Sequence, residues 1–377
     1  MISKICISPI QESGDSWRLH FCSIHTVILV VTAVMCLLLS SCARKSDESA
    51  PVIFYPNPPE QPRLQFLTVI SSEDDLKVKQ SSFQNYLLGP DIDIADIGRP
   101  YDISSSAGKL YIIDRAINEI LTVDLNTGEF DMLSDIRRGA LATPSGIWVT
   151  PDDVKYIADL ERRQIVVFDA DDSFVRAYGD GQIFEKPVDV AIYQNSIYVC
   201  DMKKNAVLVL DKVSGRLLRQ VGEIGAGEGQ LYKPTHITVD ENGNLFVNDA
   251  FNYRVQQFDA DGNFVKTYGF HGDLIGAMAR SKGVTIDREG HLYVADAAFE
   301  RVQIFDSNAQ LLLFFGGPGI GPGNMYLPAG IHIDYENIAY FQRFADKDFK
   351  LKYILYVCNM SGPNRINVYG FGDWLGE

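Results

Sequence analysis

The sequence predicts an all-β ring of six four-stranded antiparallel sheets, closed where an N-terminal strand pairs into the last sheet. Three observations carry this expectation: a period of 40-odd residues, short alternating apolar strands within each copy, and an incomplete final copy. Such a repeat marks a radial array, because one copy of that length cannot bury both faces of its sheet alone.

The register is checked by position. An apolar residue follows each opening turn at Ile103, Ile147, Val190, Ile237, Val284 and Ile331, in steps of 43 to 47 residues. An aspartate follows at Asp114, Asp159, Asp201, Asp249 and Asp296, with Asn359 in the sixth copy. Six residues after each aspartate stand Ile120, Ile165, Val207, Val255 and Val302; Ile366 stands seven after Asn359. Within the first strand, pairs such as Ile147/Val149 and Ile237/Val239 fall two apart, which puts them on one sheet face. Asn242-Gly243 and Asp261-Gly262 supply hairpin turns that need positive φ.

Closure needs one more strand. The sixth copy runs through Tyr353–Asn359 and Arg365–Tyr369 and then ends within eight residues, too few for an outer strand and its hairpin. Arg63–Ile70 (RLQFLTVI) resembles the fourth strands FVKTYG and LLLFFG, and is expected to fill the gap and cover that edge. Between it and the first copy, Ser72–Leu88 reads as a short helix, with Ser72 as its cap, plus a loop.

The 377 residues carry a formal charge of −15, which argues against a nucleic-acid partner, since neutralising phosphates needs surplus Lys and Arg. Of six cysteines, only Cys200 and Cys358 lie in the repeats. They occupy the same repeat position in copies three and six, which face each other across a six-fold ring. At least three strand spacings, about 14 Å, separate them, whereas a disulfide needs Cα atoms within about 7 Å. Two unpaired, buried thiols are expected.

Ahead of the repeats, Val27–Leu39 is a 13-residue apolar run, too short for a spanning helix of roughly 20 residues but suited to an export signal. Leu39-Ser40-Ser41-Cys42 follows directly and resembles the lipobox of bacterial lipoproteins. That resemblance implies cleavage before Cys42, acylation of Cys42 and a permanent membrane anchor in the cell envelope. Residues Ala43 and Arg44 offer no aspartate retention signal of the enterobacterial type, which favours the outer membrane. Proline-rich residues 43–62 read as an extended spacer. The expected organisation is a signal peptide over 1–41, a lipidated Cys and tether over 42–62, and the ring over 63–377.

The repeats themselves have a likeness. Gly-rich approaches (GEIGAGEGQLYKP, GGPGIGPGNMYLP) lead into PTHITVD, LFVNDAFNYRVQQFD and DGNFVKTYG, a pattern similar to NHL repeats over roughly Pro100–Tyr369. Copy five has Ser281-Lys282 in place of the proline, and copy six carries an insertion around Phe341–Lys352. The resemblance implies a six-bladed β-propeller, a fold that serves binding platforms and some enzymes, including zinc-dependent amidating lyases and lactonase-like proteins.

Two groups of residues are candidates for function. Just before each apolar landmark stand Asp102, Gly146, Asp189, His236, Gly283 and Gly330, and two residues later His332 occurs in copy six. Asp102, Asp189, His236 and His332 are expected at the mouth of the central channel, where they could hold Zn²⁺ or Ca²⁺, polarise a substrate, or simply bind loops and water. Amidating lyases draw zinc-binding histidines from several blades; here His271 and His291 fall elsewhere in the repeat. No nucleophile–His–acid spacing stands out, and runs such as Asp169–Asp172 coincide with turns.

The second group lies in the connections after each aspartate landmark. Arg115, Arg162, Arg163, Lys203, Lys204, Arg254, Arg301 and Arg365 stand there against Glu119, Glu161 and Glu300, with Phe251, Tyr253 and Phe299 interleaved. A basic, aromatic rim suits an anionic ligand such as a polysaccharide, a lipid headgroup or an acidic protein face. Arg254, Arg301 and Arg365 match the repeat consensus and are expected to brace the neighbouring aspartates. The function expected is a membrane-anchored binding or scaffold module for an envelope partner; the alternative is a metal-dependent hydrolase or lyase at the channel mouth.

Overall fold

The chain folds into a ring of six radially arranged antiparallel sheets, seen in a computed structural model that describes residues 52–76, 96–133, 138–179 and 182–376. The expected export signal, Cys42 and most of the segment read as a helix plus loop lie outside the described residues. Of that segment, Ser72 precedes a single 3-10 turn, Glu73–Asp75.

Five sheets are four-stranded and follow chain order outward from the axis. Their innermost strands are Pro100–Ser106, Pro144–Val149, Pro187–Tyr193, Ile237–Val239 and Ser281–Ile286. The apolar landmarks sit within them, and the second strand of each ends on its aspartate landmark, Asp114 to Asp296. Neighbouring sheets share apolar layers: Val199, Leu208 and Leu210 of the third pack with Ile165 and Val167 of the second.

The sixth sheet is built from both ends of the propeller. Its three C-terminal strands, Pro328–Asp334, Phe349–Asn359 and Ile366–Trp374, are extended by β2 (Leu64–Ile70) and then by β1 (Ile53–Tyr55). The expected closing strand therefore pairs as read, with Leu64 opposite Phe371 and Ile70 opposite Ile366. Leu64 and Ile70 are fully buried, Leu64 in the apolar layer toward the fifth blade and Ile70 in the layer toward the first, so a one-residue slip would misplace both.

Two corrections follow from β1. The last blade has five strands rather than four, and residues 52–62 belong to the body rather than to a spacer. Phe54 packs against Phe349 and Trp374, with ring centroids 5.6 and 5.3 Å apart, while Tyr55 meets Phe315 and Tyr369. Aromatic packing thus anchors to the blade a segment that its neighbouring prolines already favour as extended. At three residues, β1 leaves only a short exposed edge.

The insertion in copy six forms α1 (Ile338–Phe341) and a 3-10 turn, Gln342–Phe344. Asn337 before it ties the sixth blade to the first: its Oδ1 accepts from Gly108 N at 2.7 Å and its Nδ2 donates to Ser106 O at 2.9 Å. Cys200 and Cys358 are buried and unpaired, as their opposed positions require. The acidic runs are turns: Asp169 Oδ1 accepts from Asp171 N and Ser173 N, and Asp259 Oδ1 from Asp261 N and Asn263 N.

Candidate functional site

At the axis, the innermost strands place Asp102, Asp189, His236 and His332 around one cavity, together with Trp148, Thr238 and Thr285. The alternation of types has a steric cause. Asp102 Oδ2 accepts the backbone N–H of Ile147 in the next blade at 3.0 Å, and Asp189 Oδ2 that of Ile237 at 2.8 Å. Each carboxylate backs onto a glycine of the preceding blade. A Cβ on Gly330 would stand 2.6 Å from Asp102 Cα, and one on Gly146 would stand 2.6 Å from Asp189 Cα. The backbones of neighbouring blades approach so closely here that glycine is needed at Gly146, Gly283 and Gly330.

Burial dominates the electrostatics. It raises the Asp102 carboxyl to about 7, against the lowering pull of the Ile147 and Ile103 N–H groups and of Arg115. Asp189 is raised well above the usual range, first by burial and then by repulsion from Asp102. His236 is pushed down to about 3 by burial, with Lys282 and Arg115 adding to the shift, so it is a neutral imidazole. Neither of its ring nitrogens has a hydrogen-bond partner in the protein. His332 is also lowered by burial, and its Nε2 lies 3.0 Å from Ser105 Oγ.

The mouth of this channel is covered. Tyr101 of the first blade lies against His236, and the Arg115 guanidinium sits 3.2 Å above the Tyr101 ring. About 40 Å³ remains inside, room for a few waters but far below the ~300–1,000 Å³ of ligand sites. Among the described residues, no three His, Cys, Asp or Glu side chains gather closely enough to hold a metal ion.

The rim is organised from beneath by the aspartate landmarks. Asp201 accepts from the backbone of Glu185 and Lys186 on one loop and of Lys203 and Lys204 on the next. Asp296 does the same for Ala279, Arg280, Ala298 and Phe299. Asn359 Oδ1 accepts from Tyr326 N in the sixth blade. The landmark is thus a buried acceptor that staples two rim loops together.

Of the predicted rim residues, several are engaged in this scaffold. Arg162 donates to Arg138 O, Ala140 O and Gln164 Oε1. Arg254 pairs with Asp249 at 2.9 Å and donates to Gly227 O and Gln230 O. Arg301 departs from expectation: it lies over Phe299 and Phe314, and its Nε and Nη2 are buried without a hydrogen-bond partner. Lys203 and Lys204 face Glu185, and with Arg163 they hold that carboxylate below its usual range. Tyr253 stacks on His271 at 4.1 Å, whereas Phe251 is half exposed beneath the Lys233 ammonium.

Two features were not visible in the sequence. The Gly-rich approach loops of blades four to six project apolar tips: Ile224, Leu274, Ile275 and Ile320 are 64, 67, 63 and 72% exposed. Beside the sixth blade, a cavity of about 600 Å³ is lined by Arg63, Glu289, His291, Tyr293, Lys352 and Phe371, among others. There His291 Nδ1 lies 2.8 Å from Asp287 Oδ2, which also accepts from Tyr353 OH at 3.0 Å. Donation from Nδ1–H to that carboxylate would leave Nε2 as an acceptor.

This chain is a six-bladed β-propeller, and its homologues include NHL-repeat proteins. A family model described as "6-bladed beta-propeller" (DUF5128) matches residues 179–284. Protein brain tumor of Drosophila melanogaster is 33% identical over 38% of this chain and 13% of its own length. The probable peptidyl-alpha-hydroxyglycine alpha-amidating lyase pgal-1 of Caenorhabditis elegans is 29% identical over 29% of this chain and 33% of its own length. The matches thus span a third or less of these relatives. Among solved structures, a protein of unknown function from Bacteroides thetaiotaomicron is 14% identical with a TM-score of 0.58, covering 82% of this chain and 76% of that one. A gluconolactonase from Xanthomonas campestris is 15% identical with a TM-score of 0.53, covering 85% and 98%. At such identities the likeness is one of fold.

Proposed function

We propose that this propeller is a binding module of the cell envelope, held by a lipid on Cys42, with its loop-bearing rim as the binding face for an anionic partner. One observation carries the reading. The rim loops are fixed from below by buried aspartates, yet they direct Ile224, Leu274, Ile275, Ile320 and Phe251 outward. A stable protein exposes such apolar tips at little benefit to its own fold, and their clustering on one side is the mark of an interaction surface. The axial cavity, by contrast, is too small and too well covered for a substrate. The test is crosslinking in intact cells from a photoreactive residue at position 224 or 320, with position 213 on the opposite face as the control. Adducts from the rim alone support the module; equal adducts from both faces, or none from the rim, oppose it.

A second reading, a hydrolase or lyase, is favoured by the lateral cavity with its Asp287–His291 pair, because an imidazole oriented by a carboxylate can serve as a general base. The names of the amidating-lyase relative and the gluconolactonase neighbour make lactones and hydroxyglycine peptides the first substrates to assay. Turnover that disappears in His291→Asn would favour this reading over the first.

A further inference from the structure

We propose that the outer edge of the fifth blade is a docking site for an extended peptide of a partner protein, which adds there as a fifth strand and places an apolar side chain in the lateral cavity. The site is separate from the rim and does not depend on whether His291 does chemistry. It begins with a junction that differs from its counterparts. In blades two, three and four, a basic residue of the outer strand crosses to a hairpin carbonyl of the next blade: Arg176 to Val213 O at 3.0 Å, Arg219 to Ala260 O at 2.6 Å and Lys266 to Ser307 O at 2.5 Å. Leu313 stands at that position in blade five, two residues before Phe315 as Lys266 is before Tyr268. The sixth blade also lacks the hairpin that would receive such a residue, because its fourth strand, β2, comes from the N-terminal side. The cavity of about 600 Å³ lies at this junction, with Ile304, Leu312 and Leu313 in its wall.

The edge itself is unguarded. The outer strands of blades one to four each carry a charge, Asp131, Arg176, Arg219 or Lys266, and the edge of the sixth blade, β1, is only three residues long. Charge and brevity are how sheets discourage pairing with other chains. Leu311–Gly316 (LLLFFG) has neither, and its Leu312 and Phe314 are 54 and 43% exposed. Gly317 N donates to Glu300 O, so by the alternation of an antiparallel ladder Leu313 and Phe315 turn their backbone groups inward, while Phe314 and Gly316 turn theirs outward. The Tyr55 hydroxyl meets the Gly316 backbone, but among the described residues no hydrogen bond reaches the backbone of Phe314 from outside its sheet.

The chemistry of the recess defines the occupant. Outward-facing N–H and C=O groups on an edge are satisfied by another extended backbone, and a pocket beside the edge selects its alternate side chains. A residue added opposite Leu313 has its side chain on the same face as Leu313, toward the cavity, where Tyr293, Ile304 and Phe371 form an apolar lining. The mouth carries both signs, Arg63 and Lys352 with Glu60 and Glu289, all exposed, which suits an uncharged backbone better than an ion of either sign. The fold already contains such an arrangement, since β1 is a fifth strand laid on the sixth blade. β1 also reaches one strand farther out than the edge beside it, so the recess takes a single strand rather than the flank of a second copy.

The experiment screens the purified full chain, by fluorescence polarisation, against synthetic peptides of about six residues, the length of an ordinary strand, that alternate threonine with apolar residues. At least one is expected to bind and to slow amide exchange in Leu311–Gly316. Leu312→Lys and Leu313→Lys each place a charge on the edge and are expected to weaken binding about tenfold or more. Unchanged thermal midpoints show the fold intact; if Leu313→Lys does not fold, Leu312→Lys, at a position more than half exposed, carries the test. Methylating every second backbone nitrogen of the bound peptide is expected to abolish binding in one phase and spare it in the other. No peptide bound at about 1 mM, or binding that the folded lysine variants leave unchanged, overturns the proposal. Equal binding in both methylated phases does so too. A parent dimer that Leu312→Lys dissociates also overturns it, because a second copy is then the occupant. Crosslinks from positions 224 and 320 are read separately, so the rim reading and this one fail independently.

Discussion

Tyr101 of the first blade and His236 of the fourth meet across the axis, their ring centroids 5.8 Å apart. The contact joins opposite sheets that share no hydrogen-bond ladder. Tyr101 thus acts as a stopper for a channel that is otherwise polar.

Removing the stopper is costly. Tyr101→Ala is expected to destabilise the propeller by roughly 3–5 kcal/mol, since it opens a cavity at a site where nothing nearby can collapse inward. Tyr101→Phe keeps the ring and loses only the Arg115 contact to the hydroxyl, at about 1 kcal/mol. Urea unfolding of the two variants measures the difference.

The axial carboxyls make stability fall with rising pH. Asp102, raised from 3.8 to about 7, and Asp189, also raised well above 3.8, hold protons in the folded state that the unfolded chain releases near pH 4. Their contribution is complete below pH 4 and is lost as the pH climbs through about 7 and above. His236 acts oppositely: lowered from 6.5 to about 3, it favours the fold above pH 6.5 and loses that contribution as the pH falls toward 3. Asp189→Asn is therefore expected to be more stable than the parent at pH 8, by on the order of 1 kcal/mol, and no more stable at pH 4. Thermal midpoints across that range provide the check.

Asp201→Ala would leave four backbone N–H groups of two rim loops without their shared acceptor. A loss of roughly 3 kcal/mol or more is expected, with faster amide exchange at Glu185, Lys186, Lys203 and Lys204. Hydrogen-exchange mass spectrometry resolves those loops from the rest of the ring.

Cys200 and Cys358 are buried, and burial holds both thiols well above their ordinary range, with nearby aspartates adding to the shift. Peptides containing them should stay unmodified when the folded protein meets a maleimide at pH 8, and should react fully in denaturant. Rapid labelling of either one under native conditions would contradict this burial.

The architecture was legible because its signals are local. The landmark series from Ile103 to Ile331 records strand position, and the apolar alternation of Arg63–Ile70 records a strand without a sheet. Asp102, Asp189, His236 and His332 were legible as an axial group for the same reason. Other features depend on contacts between copies. That Gly330 makes room for Asp102 follows only once the sixth blade lies beside the first. Arg162 looks like a free cation in sequence, but the carbonyls of Arg138 and Ala140 capture it. The exposure of Ile224 and Ile320 was equally hidden, since each sits among glycines where no period separates inward from outward.

Closing the sixth blade with β2 has a consequence for how the protein is made. Ile70 and Ile366 are partners almost three hundred positions apart, so a strand made near the start waits for nearly the last. Pairings this distant delay folding, because a long loop must be ordered before any contact rewards it. A polypeptide interrupted between the fifth blade, which ends at Gly316, and Pro328 would have five blades and an orphaned closing strand. Completion of synthesis is thereby built into assembly as a checkpoint, and shortened products present open sheet edges to the proteases that clear them.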